Sequence, residues 1–126
     1  MKDYENNHKD GRRILGGRGE KAAIAYLGQS GYQIITRNLK LGSKEIDIIA
    51  RQGVWTVFIE VKTREYYQNQ DRLVSPRQLK NLKQALLAYA VPRHLSLERL
   101  RLDLIFIKIK ADGQSASLSH YRDLLN

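Results

Sequence analysis

The 126-residue chain lacks cysteine, which excludes disulfides and thiolate metal sites and suits a reducing cytoplasm. No apolar run approaches the roughly 20 residues that a membrane-spanning helix needs, so we expect a soluble, cytoplasmic protein without a membrane partner. The first ten residues contain no apolar core, and a signal peptide is therefore not predicted. His94 and His120 have no second histidine at ligand spacing, so we assign them no metal.

Acidic residues are in the minority. The chain has 22 Lys and Arg against 13 Asp and Glu, a formal net charge of +9. This excess favours polyanionic partners, either nucleic acid or an anionic lipid surface. The charge alone is weak support, because many small basic proteins bind no nucleic acid specifically.

The pattern of apolar residues predicts one domain. Residues 1–14 are polar, and we interpret them as a flexible N-terminal arm, which leaves residues 15–126 for a single domain. Helical spacing of apolar residues predicts one helix from Glu20 to about Ser30. A second helix is predicted from Pro76 to about Val91, with Ser75 as its N-cap.

The rest of the chain is rich in β-branched and aromatic residues, which is typical of strands. Strands are predicted at about 32–38, 45–50, 54–62, 100–110 and 116–121. The order of helix, three strands, helix and one or two strands predicts an α/β fold, a mixed β-sheet flanked by helices.

Asp47 and the run Glu60-Val61-Lys62 place ionisable side chains in two strands that otherwise suit a core. A two-residue loop at Gln52-Gly53 would put Asp47 opposite Phe58, which makes Asp47 and Glu60 diagonal neighbours on one face. A four-residue loop keeps this parity. A three-residue loop without a bulge would turn Asp47 to the other face.

Two carboxylates on one face repel each other unless a cation lies between them. Mg²⁺ is the expected cation, with Mn²⁺ as an alternative, because it takes oxygen ligands and retains waters that can act as nucleophiles. Lys62 would activate that water or stabilise charge developing on phosphorus, and the Val61 carbonyl could complete the ligands. The alternative is a solvated face whose charges form ordinary salt bridges, and the residue types alone weigh the two evenly.

Glu20 adds a third carboxylate to this set. It is in line with Ala23, Ile24 and Leu27 on the helix face that we expect to pack inward. The alternative explanation is a glutamate favoured at a helix N-terminus by the macrodipole.

These residues resemble the PD-(D/E)XK nuclease signature, in which an aspartate precedes a Glu-X-Lys run. A longer series resembles the bacterial YraN-type endonuclease-like family, which is related in fold to archaeal Holliday-junction resolvases. That series runs from about residue 14 to the end and comprises Gly16, Gly19-Glu20, Ala23, Leu27, Gly31-Tyr32, Arg37-Asn38, Glu45–Ala50, Phe58–Arg64, Val74–Arg77, Arg101–Asp103 and Leu124–Asn126.

The resemblance implies a restriction-endonuclease-like core and Mg²⁺-dependent hydrolysis of DNA phosphodiesters, with branched or structured DNA as a candidate substrate. By motif, Glu20, Asp47 and Glu60 would be catalytic and metal-binding acids, and Lys62 the catalytic lysine. A symmetric homodimer would suit a resolvase-like enzyme, although no interface stripe stands out.

The chain departs from the family pattern at two positions. Lys44 stands where the family usually has glycine, which bears on the local turn. Gln78-Leu79 stand where it usually has Lys-Gln, so the helix lysine is missing; Lys80 lies about half a turn away, and Gln78 could take a polar role in the site. This second departure keeps open a non-catalytic nucleic-acid-binding module on a nuclease fold.

Basic and aromatic residues surround the predicted site. The residues that we expect to contact nucleic acid are Arg18, Arg64, Arg77, Gln78 and Lys80. Arg64 and Arg77 could hold phosphates on either side of the scissile bond, and the alternative is a generally basic surface. Tyr66 and Tyr67 could stack on unpaired bases or anchor a loop.

Overall fold

The computed structural model describes residues 8–68 and 74–125, with side chains from residue 17 onward. Within these residues, five strands form one sheet in the order β1-β2-β3-β4-β5, and neighbours are antiparallel except for the parallel pair β3 and β4. The elements are α1 (His8–Gln29), β1 (Gln33–Leu41), β2 (Lys44–Gln52), β3 (Trp55–Arg64), α2 (Pro76–Ala90), β4 (Leu100–Ile109) and β5 (Ala116–Tyr121). The predicted α/β architecture with a mixed sheet is confirmed.

The two helices pack on opposite faces of the sheet. Ala23 and Leu27 of α1 lie in a core cluster with Ile48, Val57 and Ile105. On the other face, the apolar side of α2 packs in a second core cluster. This cluster includes Leu82, Leu86 and Tyr89 of α2 together with Ile49, Phe58 and Leu102 of the sheet. Strand β4 is buried on both faces, as its nearly continuous apolar sequence predicts. In the part of the chain that the structure describes, no helix is long and apolar enough to cross a membrane.

The start of α1 differs from the prediction. The helix begins at His8 and passes through the glycine-rich stretch before Glu20, so the predicted start at Glu20 was wrong. Glycine lowers helix propensity, but Gly19 is buried where an added Cβ would overlap Thr63 Oγ1 of β3. The close approach of helix and strand therefore requires glycine. Residues 1–7, the first half of the predicted arm, lie outside the described residues.

Local hydrogen bonds mark the end of α1 and the start of α2, where Ser75 acts as the predicted N-cap. After α1, Gly31 adopts φ 87°, and the Tyr32 amide donates to the Leu27 carbonyl at 2.9 Å, which is a Schellman termination. At the start of α2, Ser75 Oγ accepts a hydrogen bond from the Gln78 amide at 3.1 Å, and Pro76 occupies the first turn.

The β2–β3 hairpin has a two-residue loop, but not at the predicted residues. Gln52 lies opposite Trp55, which leaves Gly53-Val54 as the loop, and Gly53 takes the positive φ of 57° that such loops favour. The register is thus one pair away from the prediction. The loop is still even, so the parity argument is unaffected.

A buried ionic network joins β4 to its neighbours. Asp103 has no exposed surface and accepts hydrogen bonds from Arg101 Nε and Nη2, both at 2.9 Å. Its Oδ2 also lies 2.7 Å from His120 Nε2, while Arg101 donates to the Tyr32 hydroxyl at 2.6 Å. Burial opposes ionisation of Asp103, but the hydrogen bonds from His120 and Arg101 hold its pKa below the ordinary value. The sequence motif Arg101-Leu102-Asp103 therefore has a structural role.

Gly19→Ala should destabilise the protein although alanine is the better helix former. Overpacking against Thr63 costs about 1–3 kcal/mol, which outweighs the gain of up to about 1 kcal/mol in helix propensity. Urea unfolding measures the difference, and Thr63→Ala in the same chain should recover part of it. Gly28→Ala is the matched control, because nothing lies within 4 Å of an added Cβ there. Equal effects of the two alanines would refute the close-approach argument.

Asp103→Asn should lower the free energy of unfolding by about 3–5 kcal/mol, because it leaves the buried Arg101 charge without its counterion. Denaturant midpoints of wild type, Asp103→Asn and the exposed-site control Glu98→Gln test this. A loss no larger than that of the control would show that the network contributes little.

Candidate active site

The candidate site lies where β2 and β3 separate. Their pairing ends at Ile48 and Ile59, and beyond it Asp47 Oδ2 accepts a hydrogen bond from the Val61 amide at 2.9 Å. The Glu60 carboxyl group lies beside Asp47, close enough for Asp47 to raise its pKa through charge and hydrogen bonding. The structure thus brings the two carboxyl groups together, as hairpin parity predicts, although Asp47 is level with Glu60 and not with Phe58.

Glu60 is poised to hold a proton. Burial raises its pKa from 4.5 to about 8, and both the hydrogen bond to Asp47 and the charge of Asp47 act in the same direction. Lys62 and Gln78 act against this rise but do not offset it. At neutral pH Glu60 therefore favours its protonated form, because burial and the neighbouring Asp47 disfavour its ionised form.

Gln78 connects the acid pair to the lysine. Its Nε2 donates to Glu60 Oε2 at 3.1 Å, and Lys62 Nζ donates to its Oε1 at 2.6 Å. Desolvation lowers the pKa of Lys62, and the nearby Arg64 charge adds to this effect. The residue at which the chain departs from the family pattern thus lies inside the candidate site. Lys80 is exposed and does not line the adjoining pocket.

Glu20 approaches the pair from α1. It is half-buried, and its pKa is raised by burial and by the charge of Asp47. With the Asn38 amide oriented to satisfy both groups, its nitrogen donates to the Glu20 oxygens at 3.0 and 3.3 Å. Asn38 has a positive φ of 53°, a conformation that asparagine tolerates better than most residues. Sequence reasoning assigned no role to Asn38, because only the fold brings it to α1.

An open pocket of about 280 Å³ adjoins Glu60. The residues that line it come from the β1–β2 turn, β3 and the first turns of α2: Ser43, Lys44, Glu45, Glu60, Gln78, Asn81 and Leu82. Lys44 and Asn81 were not predicted as site residues. In the β1–β2 turn Gly42 takes a positive φ of 65°, and Lys44 follows as the first residue of β2.

The predicted phosphate contacts occupy different environments. Arg64 is half-buried, and its Nη1 donates to the Thr63 carbonyl at 3.0 Å. Arg77 is exposed in the first turn of α2, and Arg18 is half-buried on α1. Contact of these side chains with nucleic acid remains a prediction.

Asp47 and Glu60 offer the carboxylate oxygens that Mg²⁺ prefers. Among the described residues, however, no group of three or more His, Cys, Asp or Glu side chains is arranged to hold an ion. A cation at the pair would take its remaining ligands from backbone, water or substrate oxygens, as Mg²⁺ commonly does. The joint ligand set of Glu20, Asp47 and Glu60 remains a prediction.

Comparison with known proteins agrees with the family-level resemblance. Residues 19–107, which include all of these acids, Lys62 and Gln78, match the family described as "Uncharacterised protein family UPF0102". The chain belongs to this family. A UPF0102 protein of Geobacter sulfurreducens is 38% identical over 107 residues, 83% of this chain and 82% of the relative. One of Carboxydothermus hydrogenoformans is 34% identical over 117 residues, 91% of this chain and 98% of the relative.

The metal-free protein should lose stability as pH rises through the titration range of Glu60. Its pKa is raised from 4.5 to about 8 by folding, so the folded chain binds this proton more tightly than the unfolded chain. The resulting stabilisation is complete below about pH 4.5 and is lost as pH approaches and passes 8.

Urea unfolding in a chelator between pH 5 and 9 measures this effect. Glu60→Gln should flatten the decline relative to wild type, and Glu98→Gln should not. Parallel pH profiles for wild type and Glu60→Gln would mean that Glu60 is not the group responsible.

Proposed function

We propose that the protein is a metal-dependent endonuclease of the PD-(D/E)XK type that hydrolyses DNA phosphodiester bonds, with branched or structured DNA as its substrate. The observation that carries the proposal is the contact between the Asp47 and Glu60 carboxyl groups beside Lys62. In a salt-bridged surface, the alternative left open by the sequence, the acids would pair with cations, whereas Lys62 and Glu60 each form a hydrogen bond to Gln78.

The donor set fits Mg²⁺ or Mn²⁺. Burial and the Asp47 charge disfavour ionisation of Glu60, and a divalent cation would supply positive charge that favours it. Asp47, Glu60 and the Val61 carbonyl would hold the ion. When bound, such an ion polarises a phosphoryl oxygen and lowers the pKa of a bound water.

Side chains of the protein can assist the proton transfer and the charge stabilisation that phosphodiester hydrolysis needs. In the reaction, a water oxygen bonds to phosphorus, one P–O ester bond breaks, and the water's proton and the leaving oxygen must be accommodated. Lys62 Nζ can donate a hydrogen bond to the developing negative charge, and its lowered pKa brings proton exchange closer to neutral pH. Gln78 fixes the direction of that ammonium through its 2.6 Å hydrogen bond. Glu20, whose pKa is raised by burial and by the charge of Asp47, adds a third acid whose negative charge a bound cation would offset.

Charge supports DNA as the substrate. The net charge of +9 attracts a polyanion at long range. Arg77 is exposed one residue before Gln78, so its guanidinium can reach a phosphate next to the pocket, and the N-terminal end of α2 adds favourable backbone dipoles.

A second function, a nucleic-acid-binding module that does not cleave, is favoured by Gln78 itself. Its amide bonds both to Glu60 and to Lys62, and these are the polar groups that catalysis would use. This alternative predicts DNA binding that weakens with salt but no metal-stimulated cleavage.

Cleavage assays with Mg²⁺ and Mn²⁺ on linear duplex, single-stranded, flap and four-way DNA distinguish the two. We expect wild type to cut at least one substrate, and Asp47→Asn, Glu60→Gln and Lys62→Met each to lower the rate by roughly 10²-fold or more. Glu98→Gln and Lys83→Met change exposed residues outside the site and should retain activity.

Equal residual cleavage by wild type and the site variants would point to a contaminating nuclease and reject the catalytic role. Salt-dependent binding without cleavage under either metal would favour the binding module.

A further inference from the structure

Two adjacent tyrosines lie on the surface immediately after β3. The Tyr66 side chain is 57% exposed and that of Tyr67 is 62% exposed. Their rings meet edge to face, with centroids 5.5 Å apart and planes at 90°. In this edge-to-face arrangement, the edge of one ring points at one face of the other. The first ring keeps both of its faces clear of the second, so a flat ligand can stack on the pair.

The turn that carries these rings is well anchored. The Gln68 amide donates to the Glu65 carbonyl at 3.0 Å, and the Glu65 amide donates to Gln68 Oε1 at 2.7 Å. Lys108 Nζ of β4 donates to the Gln68 carbonyl at 2.6 Å. Three hydrogen bonds therefore hold the backbone on both sides of the tyrosines, and little conformational entropy is lost when a ligand binds them.

A line of cations connects this turn to the candidate active site. Lys62 and Arg64 are two residues apart in β3 and so point to one face of the sheet. Lys108 pairs with Arg64 across the parallel ladder and lies on that face too. From Lys62 to the start of the turn at Glu65 the strand advances roughly 10 Å, so the tyrosines follow within a few nucleotides of the candidate active site along a bound strand.

We propose that Tyr66 and Tyr67 form a stacking site for unpaired nucleobases of a strand whose phosphates follow Lys62 and Arg64. This inference rests on the proposed function because it takes nucleic acid as the ligand. It adds to that function the kind of DNA that the protein selects. Bases in an intact duplex cannot reach the rings, because each is already stacked on its neighbours. The site therefore favours DNA with a single-stranded segment close to the cut.

Binding measured in a chelator tests the stacking site separately from cleavage. The probes are a single-stranded 12-mer that carries 2-aminopurine and the matching duplex, titrated with the full chain. We expect Tyr66→Leu and Tyr67→Leu each to weaken single-strand binding by roughly 5- to 150-fold, to reduce quenching of 2-aminopurine, and to change duplex binding less than twofold. Tyr66→Phe and Tyr67→Phe retain the ring faces and should bind like wild type.

Tyr121→Leu is the matched control, since Tyr121 is 40% exposed and lies on the edge strand β5, two places from β3 in the sheet. Wild type that fails to bind the single strand, or a Tyr66→Leu/Tyr67→Leu variant that binds within twofold of wild type, overturns the stacking site. Tyrosine-dependent binding in a protein that cuts no DNA would leave the stacking site standing and reject the nuclease. Cleavage by wild type with no effect of the leucine changes on binding would support the nuclease and reject the stacking site.

Discussion

The parallel pairing of β3 with β4 is the constraint on which the rest of the molecule depends. It extends over nine residue pairs, from Thr56 with Leu100 to Arg64 with Lys108. Parallel neighbours cannot be joined by a tight turn, so the chain must cross one face of the sheet between them, and α2 forms that crossing. The first turn of α2 consequently faces the end of β3, which is what brings Gln78 into contact with Glu60 and Lys62.

The separation of β2 from β3 places the acidic side chains of the candidate active site at this end of the sheet. Once the ladder stops at Ile48 and Ile59, the Val61 amide needs another acceptor, because an unpaired backbone donor in a sheet is costly. Asp47 Oδ2 supplies it at 2.9 Å. One hydrogen bond therefore satisfies the backbone and also fixes a carboxylate beside Glu60, so the irregularity in the sheet and the candidate active site are the same feature.

Two clusters of buried charge in this fold differ in how well they are compensated. Asp103 receives a bidentate Arg101, His120 and the Asp123 amide, and its pKa falls despite burial. Glu60 receives Gln78 but also faces Asp47, and its pKa rises. Compensated charge holds β4, β5 and the end of α1 together. The incompletely compensated acids around Glu60 would be stabilised by a bound cation, which is the basis of the proposed function.

The sequence by itself determined the features whose causes are local. Ser75-Pro76 and Gly31 mark helix ends through hydrogen bonds within a few residues, and any even hairpin loop brings Asp47 and Glu60 to one face. The tertiary structure alone decided the register that sets Asp47 level with Glu60, the helical state of the glycines before Glu20, and the positions of Asn38, Lys44 and Gln78 around the acids. These depend on contacts between residues far apart in the chain, such as Gly19 against Thr63, and packing of that kind outweighs local propensity.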